Sequence, residues 1–294
     1  MPELPEVETV RRGLNQATLA QELLGGEVLL PRTIAHPLSV SEFLDGLTGG
    51  AIAHWHRRGK YLLAALVPST STHPPTSPTI PPTPAAGWLG VHLRMTGQLL
   101  WIHQSEPIQP HCRVRLFFPQ QRELRFVDQR TFGRMWWVPP GQAPEEIVSG
   151  LQRLGPEPLS AEFSVAYLKE QLRQRQRPIK NALLDQAIIA GIGNIYADEA
   201  LFLSQIKPVI LCSRLKQRQI QSLHDSIVHV LQTSIAAGGT SFSTFRDVRG
   251  INGNYGQAAW VYGREGEPCR TCHQPIQRLK LAGRSTYFCP RCQQ

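Results

Sequence analysis

No apolar run in the 294-residue chain approaches the roughly 20 residues that a membrane-crossing helix requires. The opening residues are acidic rather than a basic stretch followed by an apolar one, so no secretory signal is expected and the sequence reads as cytoplasmic. Cysteine is also scarce: there are six, and four of them lie at Cys269 or beyond. With no signal for export, a disulfide framework is disfavoured. Acidic residues are outnumbered, 22 to 31, but unevenly. Residues 1–150 hold 13 Lys+Arg against 12 Asp+Glu, whereas residues 151–294 hold 18 against 10. A basic second half fits a polyanion such as nucleic acid, and on charge alone it fits a generally basic surface equally well.

The four late cysteines carry the strongest local signal. Cys269 and Cys272 form one CxxC, Cys289 and Cys292 another, with 16 residues between the pairs. Four thiolates in that spacing close a tetrahedral zinc site with no position left for water, so one structural zinc ion and no organic cofactor are expected. Cys112 and Cys212 stand alone and read as packing residues.

Hydrophobic periodicity divides the chain. Val7, Val10, Leu14 and Ala17 recur at helical spacing after Pro5, which predicts a helix from about Pro5 to Ala17. Short apolar runs follow ("GEVLL", "KYLLAALV", "WLGVHLRM", "QLLWI", "RVRLFF", "ELRFV", "GRMWWV"), the pattern of an antiparallel sandwich or barrel. Residues 68–87 hold seven prolines and no charged residue and read as a disordered loop inserted in a hairpin. From about Phe163 the pattern turns helical, punctuated by Pro178, by Gly191-Ile192-Gly193 and by Gly238-Gly239. The fold class is α+β multidomain, with expected domains at 1–140 and 159–259, a linker at 141–158 and a zinc finger at 260–294.

"MPELPEVETV" raises a chemical question. Proline and glutamate early in a helix are ordinary punctuation. If Met1 is removed, however, Pro2 presents a secondary amine that titrates near pH ~8 and can attack a sugar carbon to give an iminium, with a neighbouring carboxyl passing protons.

"PELPEVE", "RRGKYLL", "HLRMTG", "DQRTFG", "GPEPL", "GIGNIYADEALF", "GNYGQ", "VYGREGEPC" and the four-cysteine unit occur in that order. The ordered set resembles the formamidopyrimidine-DNA glycosylase family over essentially the whole length. The resemblance implies an N-terminal antiparallel β-sandwich with flanking helices, then a helix–two-turns–helix domain with a zinc-finger β-hairpin. It implies a monomeric repair enzyme that excises oxidised purines from double-stranded DNA and cuts the strand by β,δ-elimination, with no membrane association. By that likeness Pro2 is the Schiff-base nucleophile, Glu3 the proton donor, Lys60 the proton donor of β-elimination and Arg284 that of δ-elimination. Met95, Arg130 and Phe132 match the residues that fill the gap left by an extruded base, an apolar wedge with a hydrogen-bond donor. Read alone, Met95 and Phe132 would be core residues. His111, Arg175, Lys180 and Asn194 are implied backbone contacts, Asn194 at a helix start whose amides favour a phosphate.

Two positions depart from the family pattern. Gln129 stands where proline is common, and Arg175 replaces a frequent lysine. Two rivals remain: a sister enzyme acting on oxidised pyrimidines, and a non-catalytic zinc-finger DNA-binding protein. Leu4, Arg130 and Phe132 favour the purine branch, and the presence of Pro2, Glu3 and Lys60 favours an enzyme.

Overall fold

The computed structural model describes residues 1–69, 84–240, 248, 250, 253 and 255–294. Most of the proline-rich insertion and most of the loop at 241–257 therefore lie outside the described residues. Two compact units emerge: one holds Met1–Pro2, Glu6–Gln152 and Ser243–Gly253, the other Glu3–Pro5, Arg153–Phe242 and Asn254–Gln294, in each case for the described residues.

Helix α1 spans Leu4–Thr18, a residue beyond the expected bounds at each end. Its Val7, Val10 and Leu14 are fully buried, as their spacing requires. In the first unit, β1 (Gly25–Val28), β2 (Ile34–His36), α2 (Val40–Leu47), β3 (Gly50–Arg58), β4 (Tyr61–Pro68), β5 (Trp88–His92), β6 (Gly97–His103), β7 (Cys112–Phe118), β8 (Arg122–Asp128) and β9 (Arg134–Val138) follow, then α3 (Pro144–Ile147) and α4 (Ser149–Gln152). They form a four-stranded sheet, β1-β7-β8-β6, and a five-stranded sheet, β2-β9-β5-β4-β3. One core joins Val114, Leu116 and Phe126 of the first sheet, Trp55, Leu62 and Val91 of the second, and the apolar stripe of α1. That is the expected sandwich, with one exception to its antiparallel pairing: β2 runs parallel to β9.

Alternation along "CRVRLFF" buries Cys112, Val114, Leu116 and Phe118 and turns the residues between them outward, the period-2 signature of a half-buried strand. β4 and β5 pair antiparallel, and Pro68 and Trp88 mark their facing ends, so the insertion does interrupt a hairpin. β3 is an edge strand, and Asn15 closes part of its free edge. The Asn15 carboxamide accepts from the Trp55 N–H at 2.8 Å and donates to its carbonyl at 2.9 Å.

The second unit contains α5 (Val165–Leu172), α6 (Ile179–Leu183), α7 (Asn194–Leu203) and α8 (Gln217–Ala236), then β10 (Gln277–Leu281) and β11 (Arg284–Phe288). Ile220, Leu223, Ile227, Val230 and Leu231 line one face of α8 and share a core with α5, α6 and α7. Gly238 and Gly239 follow α8 with positive φ, conformations that glycine reaches without strain. Cys212 is buried in this core, and Cys112 is buried at the start of β7. Among the described residues, no helix is long and apolar enough to cross a membrane.

Candidate active-site and nucleic-acid-binding residues

In the second unit the N-terminus of α7 is built around Glu3. The Leu4 N–H donates to the Gly191 carbonyl at 3.0 Å, which brings the preceding glutamate onto the helix start. Glu3 is buried, and its carboxylate accepts from the Ile195 N–H at 3.1 Å and the Tyr196 N–H at 3.4 Å. These are orphan donors of the first helical turn, where an anion is favoured. Two glycines make room. Gly191 has φ +87° and faces Leu4, whereas Gly193 has the extended φ −135° that any residue adopts. Glycine at 193 is therefore demanded by space: a Cβ there would lie 2.3 Å from the Glu3 Cδ.

The Ile195 and Tyr196 amides of this helix start are thus taken by the protein's own carboxylate. The Asn194 side chain donates to the Ser285 carbonyl at 2.9 Å. The proton-donor role that the resemblance implies for Glu3 predicts that Gly193→Ala, by displacing its carboxylate, slows base excision roughly 10- to 100-fold, a fraction of a general acid's usual contribution. Incision at a preformed abasic site should change far less. Parallel single-turnover assays on the two substrates check this.

Lys180 lies in α6. It is fully buried, and its ammonium donates to the Ser285 carbonyl at 3.0 Å and Thr286 Oγ1 at 2.8 Å and pairs with Asp198 at 2.7 Å. A lysine so enclosed binds β11 to α6 and α7. Burial pushes the Lys180 ammonium down and the Asp198 carboxyl up, to about 7, each opposed by the attraction of the other. Asp198 also accepts from the Tyr287 N–H at 3.0 Å. Arg175 is half-buried beyond α5, where its guanidinium donates to the Gln171 carbonyl at 2.6 Å. Arg284 is exposed and opens β11 directly after the two-residue turn Ala282-Gly283, both residues of which have positive φ.

In the first unit Pro2 is buried and Met1 exposed. Lys60 is buried and follows the left-handed Gly59 in the turn between β3 and β4. Close along the strand, Arg57 joins Arg11 and Arg12 around Glu8 at 3.2, 2.8 and 2.9 Å. Burial alone would raise the Glu8 carboxyl, but hydrogen bonds and charge from Arg11, Arg12 and Arg57 hold it at about 2. His92 lies opposite Tyr61 across β4 and β5. Burial, with the charges of Arg94 and Lys60, pushes the imidazole down to about 3, so it is neutral near pH 7. Its Nδ1 accepts from the Arg94 N–H at 3.0 Å, which leaves Nε2 carrying the proton. Only its place in "HLRMTG" could have singled it out.

Met95 is half-buried in the turn between β5 and β6. Arg130 and Phe132 are exposed between β8 and β9, with the guanidinium carbon 5.0 Å from the ring centroid. Phe132 is 48% exposed and so is not the core residue its type alone would suggest. His111, exposed at φ +70° before β7, has Nδ1 3.0 Å from Arg113 Nη2.

The four cysteines of the second unit converge. Their sulfurs all lie within 4.8 Å of one another, with Cys269 and Cys292 at 3.9 Å and Cys272 and Cys289 at 3.4 Å. Sulfurs about 2.3 Å from a central zinc at tetrahedral corners stand about 3.8 Å apart, so the donor set and spacing fit the ion. Cys269 and Cys289 pack with Ile276, Val261 and Phe202.

Comparison with known proteins agrees with this arrangement along the chain. Residues 1–135 match the family model for the formamidopyrimidine-DNA glycosylase N-terminal domain, and residues 154–246 match that for its H2TH domain. Residues 266–294 match the zinc finger found in FPG and IleRS. Fold, matches and four-sulfur cluster define a base-excision DNA glycosylase with one structural zinc ion. The formamidopyrimidine-DNA glycosylases of Acaryochloris marina and Nostoc punctiforme are each 62% identical over 293 residues, covering all of this chain and 99% and 96% of theirs. The chain belongs to the formamidopyrimidine-DNA glycosylase family. Among solved structures, Lactococcus lactis Fpg in complex with DNA containing an abasic site is 34% identical, with a TM-score of 0.86 and 99% of both chains covered. The MutM (FPG) protein of Thermus thermophilus is 36% identical, with a TM-score of 0.83 and 99% and 98% covered.

Proposed function

We propose that this glycosylase excises oxidised purines, 8-oxoguanine and formamidopyrimidines, from duplex DNA and then cleaves the strand by β,δ-elimination. After removal of Met1, the Pro2 nitrogen attacks C1′ and gives up its proton, and the glycosidic bond breaks as the base leaves with a proton; the C1′–O4′ bond of the sugar then opens, O4′ takes a proton, and an iminium links enzyme and opened sugar. Glu3, adjacent to Pro2 in the chain, handles protons in that step. Loss of a C2′ proton then expels the 3′ phosphate, with Lys60 as proton donor; a second elimination expels the 5′ phosphate, with Arg284 as donor. Water releases the enzyme by hydrolysing the imine.

Met95, Arg130 and Phe132 fill the space of the extruded nucleotide, Arg130 hydrogen-bonding the orphaned base, while His111 and Arg175 contact the backbone. The zinc ion closes the finger and takes no part in bond making. The enzyme works as a monomer in the cytoplasm, associated with the DNA it repairs.

The observation that carries this reading is the buried Glu3 carboxylate, fixed on the first-turn amides of α7 beside a glycine that leaves it room. Lactococcus lactis Fpg has been solved with DNA containing Fapy-dG, and that lesion class is the substrate we assign. A duplex panel tests the assignment: 8-oxoguanine opposite C should be excised faster than thymine glycol. The reverse preference would move the enzyme to the pyrimidine branch.

A further inference from the structure

The motif "DQRTFG" contributes Arg130 and Phe132 to the proposed wedge, but its first residue is left without a role. Asp128, at the end of β8, is buried to 1% exposure. Its carboxylate gathers donors from both turns that carry the wedge. Oδ1 accepts from the Thr96 hydroxyl and from the Arg130 N–H at 3.3 Å, and Oδ2 accepts from the Gly133 N–H at 2.7 Å. Thr96 Oγ1 in turn accepts from the same Arg130 N–H at 3.0 Å.

Each of these partners is Arg130 or the immediate neighbour of a wedge residue. Thr96 follows Met95, and Gly133 follows Phe132. The Asp128 backbone completes the set: its N–H donates to the His111 carbonyl at 2.9 Å, and its carbonyl accepts from Arg113 Nε at 2.9 Å. Gly133 has no room for a side chain, since a Cβ would lie 2.4 Å from the Phe126 ring and 3.0 Å from Asp128 Oδ2. One carboxylate thereby fixes the backbone on both sides of Arg130 and Phe132 and ties their turn to that of Met95.

We infer that Asp128 is a positioning residue that holds Met95, Arg130 and Phe132 in register as one wedge, and so sets how strictly the enzyme reads the base opposite the lesion. Charge-assisted hydrogen bonds to backbone N–H groups suit this, being short, directional and costly to lose when buried. Arg130 and Phe132 are exposed on a turn, so the backbone that carries them sets where they stand. The inference rests on the wedge assigned to these residues under Proposed function.

The test uses full-length, zinc-loaded Asp128→Asn, Thr96→Val and Arg130→Ala proteins. Asparagine keeps the shape of Asp128 but cannot accept from the Thr96, Arg130 and Gly133 donors together. Thr96→Val removes only the hydroxyl link and serves if Asp128→Asn folds poorly. Excision of 8-oxoguanine is measured opposite C, opposite A and in single-stranded DNA, where there is no orphaned base.

Asp128→Asn should lower the C-over-A rate ratio about tenfold, a loss within the range carried by one base-reading contact. Thr96→Val should lower it less, and both should leave single-stranded excision within about twofold of the parent. Arg130→Ala should lose the ratio as well. If Arg130→Ala abolishes the preference while Asp128→Asn and Thr96→Val keep it, the role of Asp128 is refuted and the wedge stands. If Arg130→Ala keeps the preference, the wedge assignment fails and the role of Asp128 with it. Equal losses on duplex and single-stranded DNA in Asp128→Asn, with Thr96→Val unchanged, would reduce Asp128 to a merely structural residue and overturn the inference.

Discussion

Glu3→Gln should lose base excision by roughly 100- to 10,000-fold, the contribution expected of a positioned general acid, while still incising a preformed abasic site. Glutamine can occupy the same place, because its carbonyl oxygen still accepts from the Ile195 N–H that holds Glu3 at 3.1 Å. It cannot supply the proton that the departing base requires. A preformed abasic site has no base to expel, so that step is absent. Single-turnover rates on an 8-oxoguanine duplex and an abasic duplex separate the two demands. Equal losses on both substrates would mean that Glu3 supports the fold of the α7 start rather than the chemistry.

Removing zinc should be as damaging by a different route. Two strands joined by a two-residue turn do not hold together in water without further support. The support is the four-sulfur site together with the docking of β11, where Lys180, Asn194 and Asp198 take hold of Ser285, Thr286 and Tyr287. A structural zinc contributes its binding free energy to folding, so its loss releases Arg284 and the hairpin around it. We expect about one zinc per chain by metal analysis. Cys289→Ser or chelation should weaken binding to lesion DNA about 100-fold or more. Unchanged binding in metal-free protein would reject this role for the finger.

What could be read from the sequence was what local pattern encodes. Period-3.6 burial gave α1 to within a residue at each end, and alternation gave β7. Glycine and proline punctuation placed the helices of the second unit, and cysteine spacing gave the finger. What could not be read joins residues remote along the chain. The separation between Glu3 and Ile195 is 192 residues, and that between Lys180 and Thr286 is 106. No periodicity carries such a pairing. The enclosure of Lys180 by Asp198, Ser285 and Thr286, and the hold of the Ile195 and Tyr196 amides on Glu3, are therefore invisible in the sequence. The parallel pairing of β2 with β9 is likewise topological, since alternation shows which face of a strand is buried but not the direction of its neighbour. Asp128 escaped notice because a single carboxylate at the end of a strand leaves no periodic signal of its burial.

The nucleophile is the central claim, and covalent capture tests it most directly. Borohydride reduces an iminium to a stable amine, so incubating the purified protein with abasic-site DNA and borohydride fixes the enzyme to its substrate. Mass spectrometry of the linked peptide then identifies the attacking nitrogen. The expected adduct lies on Pro2 at a chain end from which Met1 has been removed. An adduct on Lys60, or no adduct from protein shown to begin at Pro2, would contradict it.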